Sequence, residues 1–139
     1  MKKIIKPVLD FIANWKHRNM KGARHIRLGR LGEDLAVNEL KANGYKISER
    51  NAKVYKREVD VIAMDGDMIV FVEVKSRSGH RYGRPIEAID NKRKGRLRKA
   101  AELYLAQKKI KGASVRFDVV TVDYTDSPKP KIEIVKNAF

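Results

Sequence analysis

Residues 58–76 read EVDVIAMDGDMIVFVEVKS and carry the pattern that decides the fold. Two runs rich in Val and Ile, residues 58–64 and 68–76, flank a short Asp-Gly segment, which predicts two strands joined by a tight turn. If Asp65-Gly66 is the turn, residues 64 and 67 pair, and side chains directly opposite share a face. One face is then wholly apolar and is expected to cover the core: Val59, Val61, Ala63, Met68, Val70, Val72 and Val74.

The opposite face of this hairpin collects three acids and a lysine, which are Glu58, Asp60, Glu73 and Lys75. The alternative turn, Gly66-Asp67, slips the register by two residues. It keeps all four side chains on one face but places Asp60 directly opposite Glu73 instead of diagonal to it. Either register predicts that the acids and the lysine share one site.

Acids that crowd one strand face repel each other, and a divalent cation removes that conflict. Mg²⁺ prefers oxygen ligands, and it can activate a water and stabilise a phosphate under attack. We therefore predict a Mg²⁺ (or Mn²⁺) site, with Lys75 stabilising negative charge at the phosphate. A solvated strand face, on which Lys75 offsets its acidic neighbours, is the alternative.

The rest of the chain predicts an α/β protein with the order helix, three strands, helix, two strands. Leu28, Leu31, Leu35 and Leu40 form a helical stripe, and Gly44 lies where a glycine would end that helix. Asp90 is the predicted cap of the second helix, whose buried stripe is Leu97, Ala101, Tyr104 and Leu105. Besides the hairpin and the first helix, the predicted elements are a weak strand at 46–54, a helix at 91–109, and strands at 114–123 and 131–136.

Composition suggests the class of partner. The chain has 139 residues, which suits one compact domain, and 32 Lys and Arg against 17 Asp and Glu give a net charge of +15. Such an excess implies an anionic partner, of which nucleic acid is the commonest and an acidic membrane surface the competitor. The absence of cysteine excludes disulfides, thiolate nucleophiles and Cys-bound zinc. No apolar run approaches the roughly 20 residues that span a bilayer, so no stable membrane insertion and a cytoplasmic location are expected.

The first 27 residues form a predicted basic amphipathic extension, which precedes a single predicted domain at 28–139. Ile5, Val8, Ile12 and Trp15 recur at helical spacing. One interpretation is a helix that packs on the rest of the protein, or a partly ordered tail. The other is an interfacial helix that binds a membrane or a partner.

Basic residues follow the second hairpin strand. A loop leaving that strand is well placed to grip phosphates, and arginine pairs with phosphate bidentately. A solvated helix face is the alternative for any one of them, and Arg116 and Asp118 are expected to form a structural pair instead. The predicted nucleic-acid contacts are Arg77, Arg81, Arg84, Lys92, Arg93 and Lys94.

Several segments together resemble the YraN-like family of predicted nucleases, in the PD-(D/E)xK or restriction-endonuclease-like superfamily. They lie within about residues 28–136 and are Gly29–Glu33, Glu58–Ala63, Val70–Arg77, Tyr82–Pro85, Ala100–Leu105 and Arg116–Val120. The resemblance implies a restriction-endonuclease-like αβββαβ core, with a mixed central sheet flanked by helices. It also implies that Asp60 and Glu73 bind the metal and that Lys75 is the superfamily lysine.

The resemblance adds Glu33, the acid that the first helix often contributes beside the metal; an ordinary charge at a helix N-terminus is the alternative. Two positions depart from the family pattern. Arg57 stands where glycine is frequent and could bind phosphate, and Lys94-Gly95 replaces a lysine-glutamine pair.

The expected activity is metal-dependent hydrolysis of phosphodiester bonds in DNA. Branched or junction DNA is one substrate class that fits, and the residues do not choose it over a nick, flap or single strand. A catalytically idle nucleic-acid-binding module is the alternative, and a peripheral membrane or tethering protein is a third reading. Related small enzymes often dimerise, so a homodimer is also an expectation.

Overall fold

The computed structural model describes residues 23–78, 90–125 and 129–139. The element order is the predicted one: a helix, three strands, a helix and two strands. The elements are α1 (Ala23–Ala42), β1 (Lys46–Val54), β2 (Arg57–Asp65), β3 (Met68–Arg77), α2 (Asn91–Gln107), β4 (Val115–Asp123) and β5 (Lys131–Val135). None of the helices in these ranges is both long enough and apolar enough to cross a membrane. The predicted helix around residues 5–15 lies outside the described residues.

The five strands form one sheet in the order β1-β2-β3-β4-β5. All neighbours are antiparallel except β3 and β4, which are parallel. Parallel neighbours need a crossover connection, and α2 lies in the chain between these two strands. Since α1 and α2 pack with different sets of alternating strand residues, they cover opposite faces of the sheet. The mixed sheet with a helix on each side confirms the predicted fold class.

Both helices have the signals that the sequence predicts for their ends. The backbone N–H groups of Gly44 and Tyr45 donate to the carbonyls of Lys41 and Leu40, at 3.1 and 3.0 Å. This pairing is a Schellman motif, and Gly44 supplies its left-handed residue with φ of 88°. At the start of α2, Asp90 accepts a hydrogen bond of 2.8 Å from the backbone N–H of Arg93, as an N-cap does.

The turn between β2 and β3 differs from the first expectation. Asp65 pairs with Met68 and Val61 pairs with Val72, so the turn residues are Gly66 and Asp67. The choice of Asp65-Gly66 as the turn is therefore wrong, and the alternative register is confirmed. Gly66 has φ of 61°, a left-handed conformation at the first turn position that glycine adopts at little cost.

Both faces of the hairpin are buried, as the predicted sheet with a helix on each side requires. Val61 and Val72 belong to the cluster under α1, whereas Ile62 and Phe71 belong to the cluster under α2. A crossover helix covers the second face, as is usual around parallel strands.

Val59 also packs under α2 and not, as expected, beside Val61. In the β1–β2 register Asn51 lies across from Asp60, and Asn51 has a left-handed φ of 49°. A left-handed residue interrupts strand alternation. The side-chain alternation therefore shifts by one residue at Asn51 and Asp60.

The predicted pair of Arg116 and Asp118 lies toward the β2–β3 turn, away from the acids. Arg116 donates to both oxygens of the fully buried Asp118, at 2.8 and 2.7 Å, and to Asp65 at 2.8 Å. Tyr45 donates its hydroxyl to Asp118 at 2.7 Å. A buried charge needs such partners, so this network has a structural role, as predicted.

Candidate functional site

The site begins where β2 and β3 separate. Their pairing reaches Val61 and Val72, and at the next position in this register Asp60 faces Glu73. There Asp60 Oδ2 accepts a hydrogen bond of 2.8 Å from the backbone N–H of Val74. A buried N–H group needs a partner, and the carboxylate replaces the missing strand partner. The fork between the strands thus holds Asp60 in a fixed position.

Glu73 is the second carboxylate of the pair, and it is only 3% exposed. Its Oε1 is in contact with Nε and Nη2 of Arg93, from the first turn of α2. Because Asp90 caps that turn through the N–H of Arg93, the helix start places the guanidinium against the sheet. The Arg93 side chain is itself half exposed, so it links the buried carboxylate to the surface.

The paired carboxylates carry more negative charge than their surroundings neutralise. Burial, followed by the negative charge of Glu73, raises the pKa of Asp60 from 3.8 to about 7. The hydrogen bond from Val74 and the positive charge of Arg93 oppose this rise. The two carboxyl groups are close enough to share a hydrogen bond. At neutral pH the Asp60 carboxyl therefore holds a proton more readily than a free aspartate does.

Glu33 and Glu58 lie next to this pair and are bridged by Asn51. With its amide oriented to satisfy both neighbours, Asn51 donates to Glu33 Oε2 at 3.1 Å and to Glu58 Oε1 at 3.3 Å. Burial, followed by the charge of Asp60, raises the pKa of Glu33. The left-handed residue that shifts the strand alternation is thus also the residue that holds the two outer acids.

Two adjoining hollows open on the carboxylate pair, with Asp60, Glu73 and Arg93 in the walls of both. The larger has a volume of about 650 Å³, and its other lining residues are Lys56, Arg57, Glu58, Arg96 and Leu97. The smaller has a volume of about 330 Å³, and its other lining residues are Gly29, Glu33, Val74, Lys75 and Ser76. Acids at the floor and cations around it are the charge arrangement that suits a phosphate chain with a metal ion.

The predicted basic residues occupy different surroundings. Lys75 is half-buried and lines the smaller hollow, whereas Arg77 ends β3 and its carbonyl accepts from the N–H of Tyr124 at 2.9 Å. Lys92 is exposed on α2, and Lys94 lies over the ring of Phe139 with Nζ 5.8 Å from its centroid. Arg81 and Arg84 lie outside the described residues.

The donor set can be compared with what a metal requires. In the part of the chain that the structure describes, no group of three or more acidic or histidine side chains converges to hold a metal ion. Asp60 and Glu73 lie together, while Glu33 and Glu58 are bridged to each other by Asn51. Mg²⁺ is commonly bound by one or two carboxylates, with waters and substrate phosphates completing its octahedron. The pair therefore fits Mg²⁺ or Mn²⁺, and does not fit a cation that needs an all-protein cage.

Sequence reasoning missed Asn51 and Lys56 as members of the site. A weak signal existed for each residue. For Asn51, the signal is that Asn is enriched in left-handed conformations, which often interrupt strands. For Lys56, the signal is that it immediately precedes Arg57, where a strand begins. Their closeness to the acids depends on the β1–β2 register, which local pattern does not fix.

Comparison with known proteins agrees with the resemblance. The profile of the uncharacterised protein family UPF0102 matches residues 32–122. A UPF0102 protein of Clostridium kluyveri is 42% identical over 113 residues, which cover 81% of this chain and 93% of that protein. A UPF0102 protein of Dictyoglomus thermophilum is 43% identical over 102 residues, which cover 73% of this chain and 86% of that protein. A UPF0102 protein of Syntrophus aciditrophicus is 43% identical over 119 residues, which cover 84% of this chain and 91% of that protein. The chain therefore belongs to the uncharacterised family UPF0102, the YraN-like family that its strand motifs resemble.

Proposed function

We propose that this protein hydrolyses phosphodiester bonds in DNA with Mg²⁺ or Mn²⁺ bound at Asp60 and Glu73. One observation carries the proposal: the buried carboxylate of Glu73 and the half-buried carboxylate of Asp60 face each other across a strand fork, at the floor of hollows whose walls carry cations. Placing two acids side by side with little exposure to water costs stability, so their arrangement favours a cation-binding role over a structural one.

The residues of the site have distinct tasks under this proposal. Asp60 and Glu73 supply two oxygen ligands, and the bound metal supplies charge stabilisation at the phosphate and an activated water. Lys75 lines the same hollow as Glu33 and stabilises negative charge that develops on the phosphate oxygens. Glu33 and Glu58 accept from Asn51 and tune the field around the pair, or bind the metal through water.

Under the same proposal, the four basic side chains that line the larger hollow bind the DNA backbone. Lys56 comes from the β1–β2 turn and Arg57 from the start of β2, whereas Arg93 and Arg96 come from α2. A phosphodiester chain that passes between the turn and the helix meets cations on both sides before it reaches Asp60. Each phosphate neutralised this way releases counterions, so binding should weaken steeply as salt rises.

A specific contact favours the idle-module alternative, in which the protein binds nucleic acid without cutting it. The guanidinium of Arg93 already neutralises Glu73 and would have to share that carboxylate with a metal. Both functions predict salt-sensitive DNA binding, so only an assay of cleavage separates them.

The test incubates linear, nicked, flapped and four-way-junction DNA with the protein in Mg²⁺ and in Mn²⁺. Wild type is compared with Asp60→Ala and Glu73→Ala, and with Glu102→Gln, which changes an exposed carboxylate on α2. Cleavage by wild type and Glu102→Gln, but by neither site variant, supports the proposal. Cleavage that survives both site substitutions overturns the site assignment, and binding without cleavage on every substrate favours the idle module.

A further inference from the structure

The turn between β1 and β2 carries an exposed aromatic residue. Val54 pairs with Arg57, so Tyr55 and Lys56 are the two turn residues. Tyr55 is 69% exposed, and within the described residues it is the only large apolar side chain that is mostly exposed. Folding therefore gains little from this ring, whereas Phe71 is fully buried and packs against the rings of Tyr104 and Phe117.

The backbone at Tyr55 is also unfavourable for a residue of this kind. Its φ is 57°, in the left-handed region, where a bulky side chain is an outlier. The β2–β3 hairpin offers a direct comparison, because the first residue of its two-residue turn has φ of 61° and is Gly66. One hairpin of the sheet thus uses the residue that the turn favours, and the other uses a tyrosine. Backbone strain that does not serve folding is typical of functional sites, so the strain at Tyr55 indicates that this residue has a functional role.

The surroundings of Tyr55 suggest the kind of ligand. The next two residues, Lys56 and Arg57, line the larger hollow together with Asp60 and Glu73. Tyr55 lies at the tip of this hairpin, directly before these two residues and outside β2, which begins at Arg57. A strand whose phosphates contact Lys56 and Arg57 would therefore bring nearby bases to the ring.

We propose that Tyr55 is a stacking platform for an unpaired nucleobase, and that it makes the protein select DNA with a single-stranded segment beside the bound phosphates. Aromatic side chains stack on bases of any sequence, provided that the face of the base is open. Inside a duplex both faces are covered by neighbouring bases, so a single strand, a flap or a branch offers the ligand. This inference rests on the proposed function for its ligand class, which is DNA.

The test measures binding without metal, in EDTA, so that it does not depend on cleavage. Fluorescence anisotropy follows three probes of the same sequence: a single strand, a blunt duplex, and that duplex with a single-stranded flap. Tyr55→Ala should weaken binding of the single strand and the flap about 5- to 100-fold, as loss of one base stack does. Tyr55→Phe should stay within about twofold, and blunt-duplex binding should change little in either variant.

A second measurement keeps loss of binding apart from loss of folding. Tyr55→Gly relieves the left-handed backbone, so it should raise the melting temperature or leave it unchanged while binding of the single strand weakens as in Tyr55→Ala. A single strand that carries 2-aminopurine should lose fluorescence on binding to wild type and much less on binding to Tyr55→Gly. Equal binding of the single strand by wild type and Tyr55→Ala overturns the inference, as does an equal loss on duplex and single strand. If the protein binds as expected but never cuts, the inference stands and the nuclease proposal fails.

Discussion

Replacing Asp60 by Asn should stabilise the metal-free protein, even though it removes a proposed metal ligand. The folded protein raises the pKa of Asp60 from 3.8 to about 7, first through burial and then through the charge of Glu73. The folded state therefore holds this proton more tightly than the unfolded state does. As pH rises from the unfolded pKa near 4 to the folded pKa near 7, wild type loses stability. Asn has no proton to lose, and its carbonyl can still accept from the N–H of Val74.

The size of the effect follows from the shift of the pKa. One pKa unit corresponds to about 1.4 kcal/mol, so a rise of roughly three units gives a penalty of about 4 kcal/mol at pH 8. At pH 5 the pH lies only slightly above the unfolded pKa of 3.8, so the penalty falls to about 1.6 kcal/mol. Asp60→Asn should recover most of this difference, so its advantage over wild type should grow by about 2 to 3 kcal/mol from pH 5 to pH 8.

The assay is urea denaturation in EDTA at pH 5 and pH 8, followed by circular dichroism and analysed by linear extrapolation. Glu102→Gln is the matched control, because its carboxylate is exposed and its advantage should be the same at both pH values. An Asp60→Asn variant that is less stable than wild type at pH 8, or equally advantaged at both pH values, would refute the reasoning about the buried pair.

Three further outcomes follow from the same contacts. In differential scanning fluorimetry at pH 8, Mg²⁺ should raise the melting temperature of wild type relative to EDTA but should not raise that of Asp60→Asn. Equal rises in both proteins would contradict Mg²⁺ binding at Asp60. Arg93→Ala leaves the buried Glu73 without its cation, so it should lower the free energy of unfolding by about 1 to 3 kcal/mol in EDTA. Mg²⁺ should restore part of this loss. An Arg93→Ala variant as stable as wild type in EDTA would count against the ion pair. A Cβ added at Gly32 would collide with Oγ of Ser76 and lie 3.3 Å from its Cβ. This overpacking should cost about 1 to 2 kcal/mol and outweigh the roughly 1 kcal/mol that alanine gains over glycine in a helix, so Gly32→Ala should lower stability by up to about 1 kcal/mol in urea denaturation. That cost should shrink in a background that also carries Ser76→Ala, and an unchanged cost would place the clash elsewhere.

Much of the fold could be predicted because its signals are local. The alternation of residues 58–64 and 68–76 identifies the two central strands, and Gly44 and Asp90 mark helix ends through their own hydrogen bonds. The pairing of Asp60 with Glu73 was predicted as an alternative for the same reason. A two-residue slip preserves the face of every side chain, so polarity alone could not choose between the turns.

The rest of the site depends on contacts that are distant in the sequence. The left-handed conformation of Asn51 moves Val59 to the other face, and nothing in the alternation of β2 reveals it. The contact between Arg93 and Glu73 joins residues 20 positions apart and forms only once α2 crosses the sheet. That Lys56 and Arg96 line one hollow likewise follows from the packing of α2 beside the β1–β2 turn, which the sequence pattern does not encode.

The central claim is that Asp60 and Glu73 together hold the metal that cuts DNA. Its most direct test is the single-turnover rate of cleavage of a flapped DNA as Mg²⁺ is titrated, for wild type, Glu73→Gln and the matched control Glu102→Gln. The account expects a metal-dependent rate for wild type and the control, and a rate at least about 100-fold lower for Glu73→Gln, as expected when a group essential to transition-state charge stabilisation is lost. Cleavage by Glu73→Gln within about twofold of wild type at every Mg²⁺ concentration would contradict it, since a fall of that size corresponds to only about 0.4 kcal/mol of transition-state stabilisation.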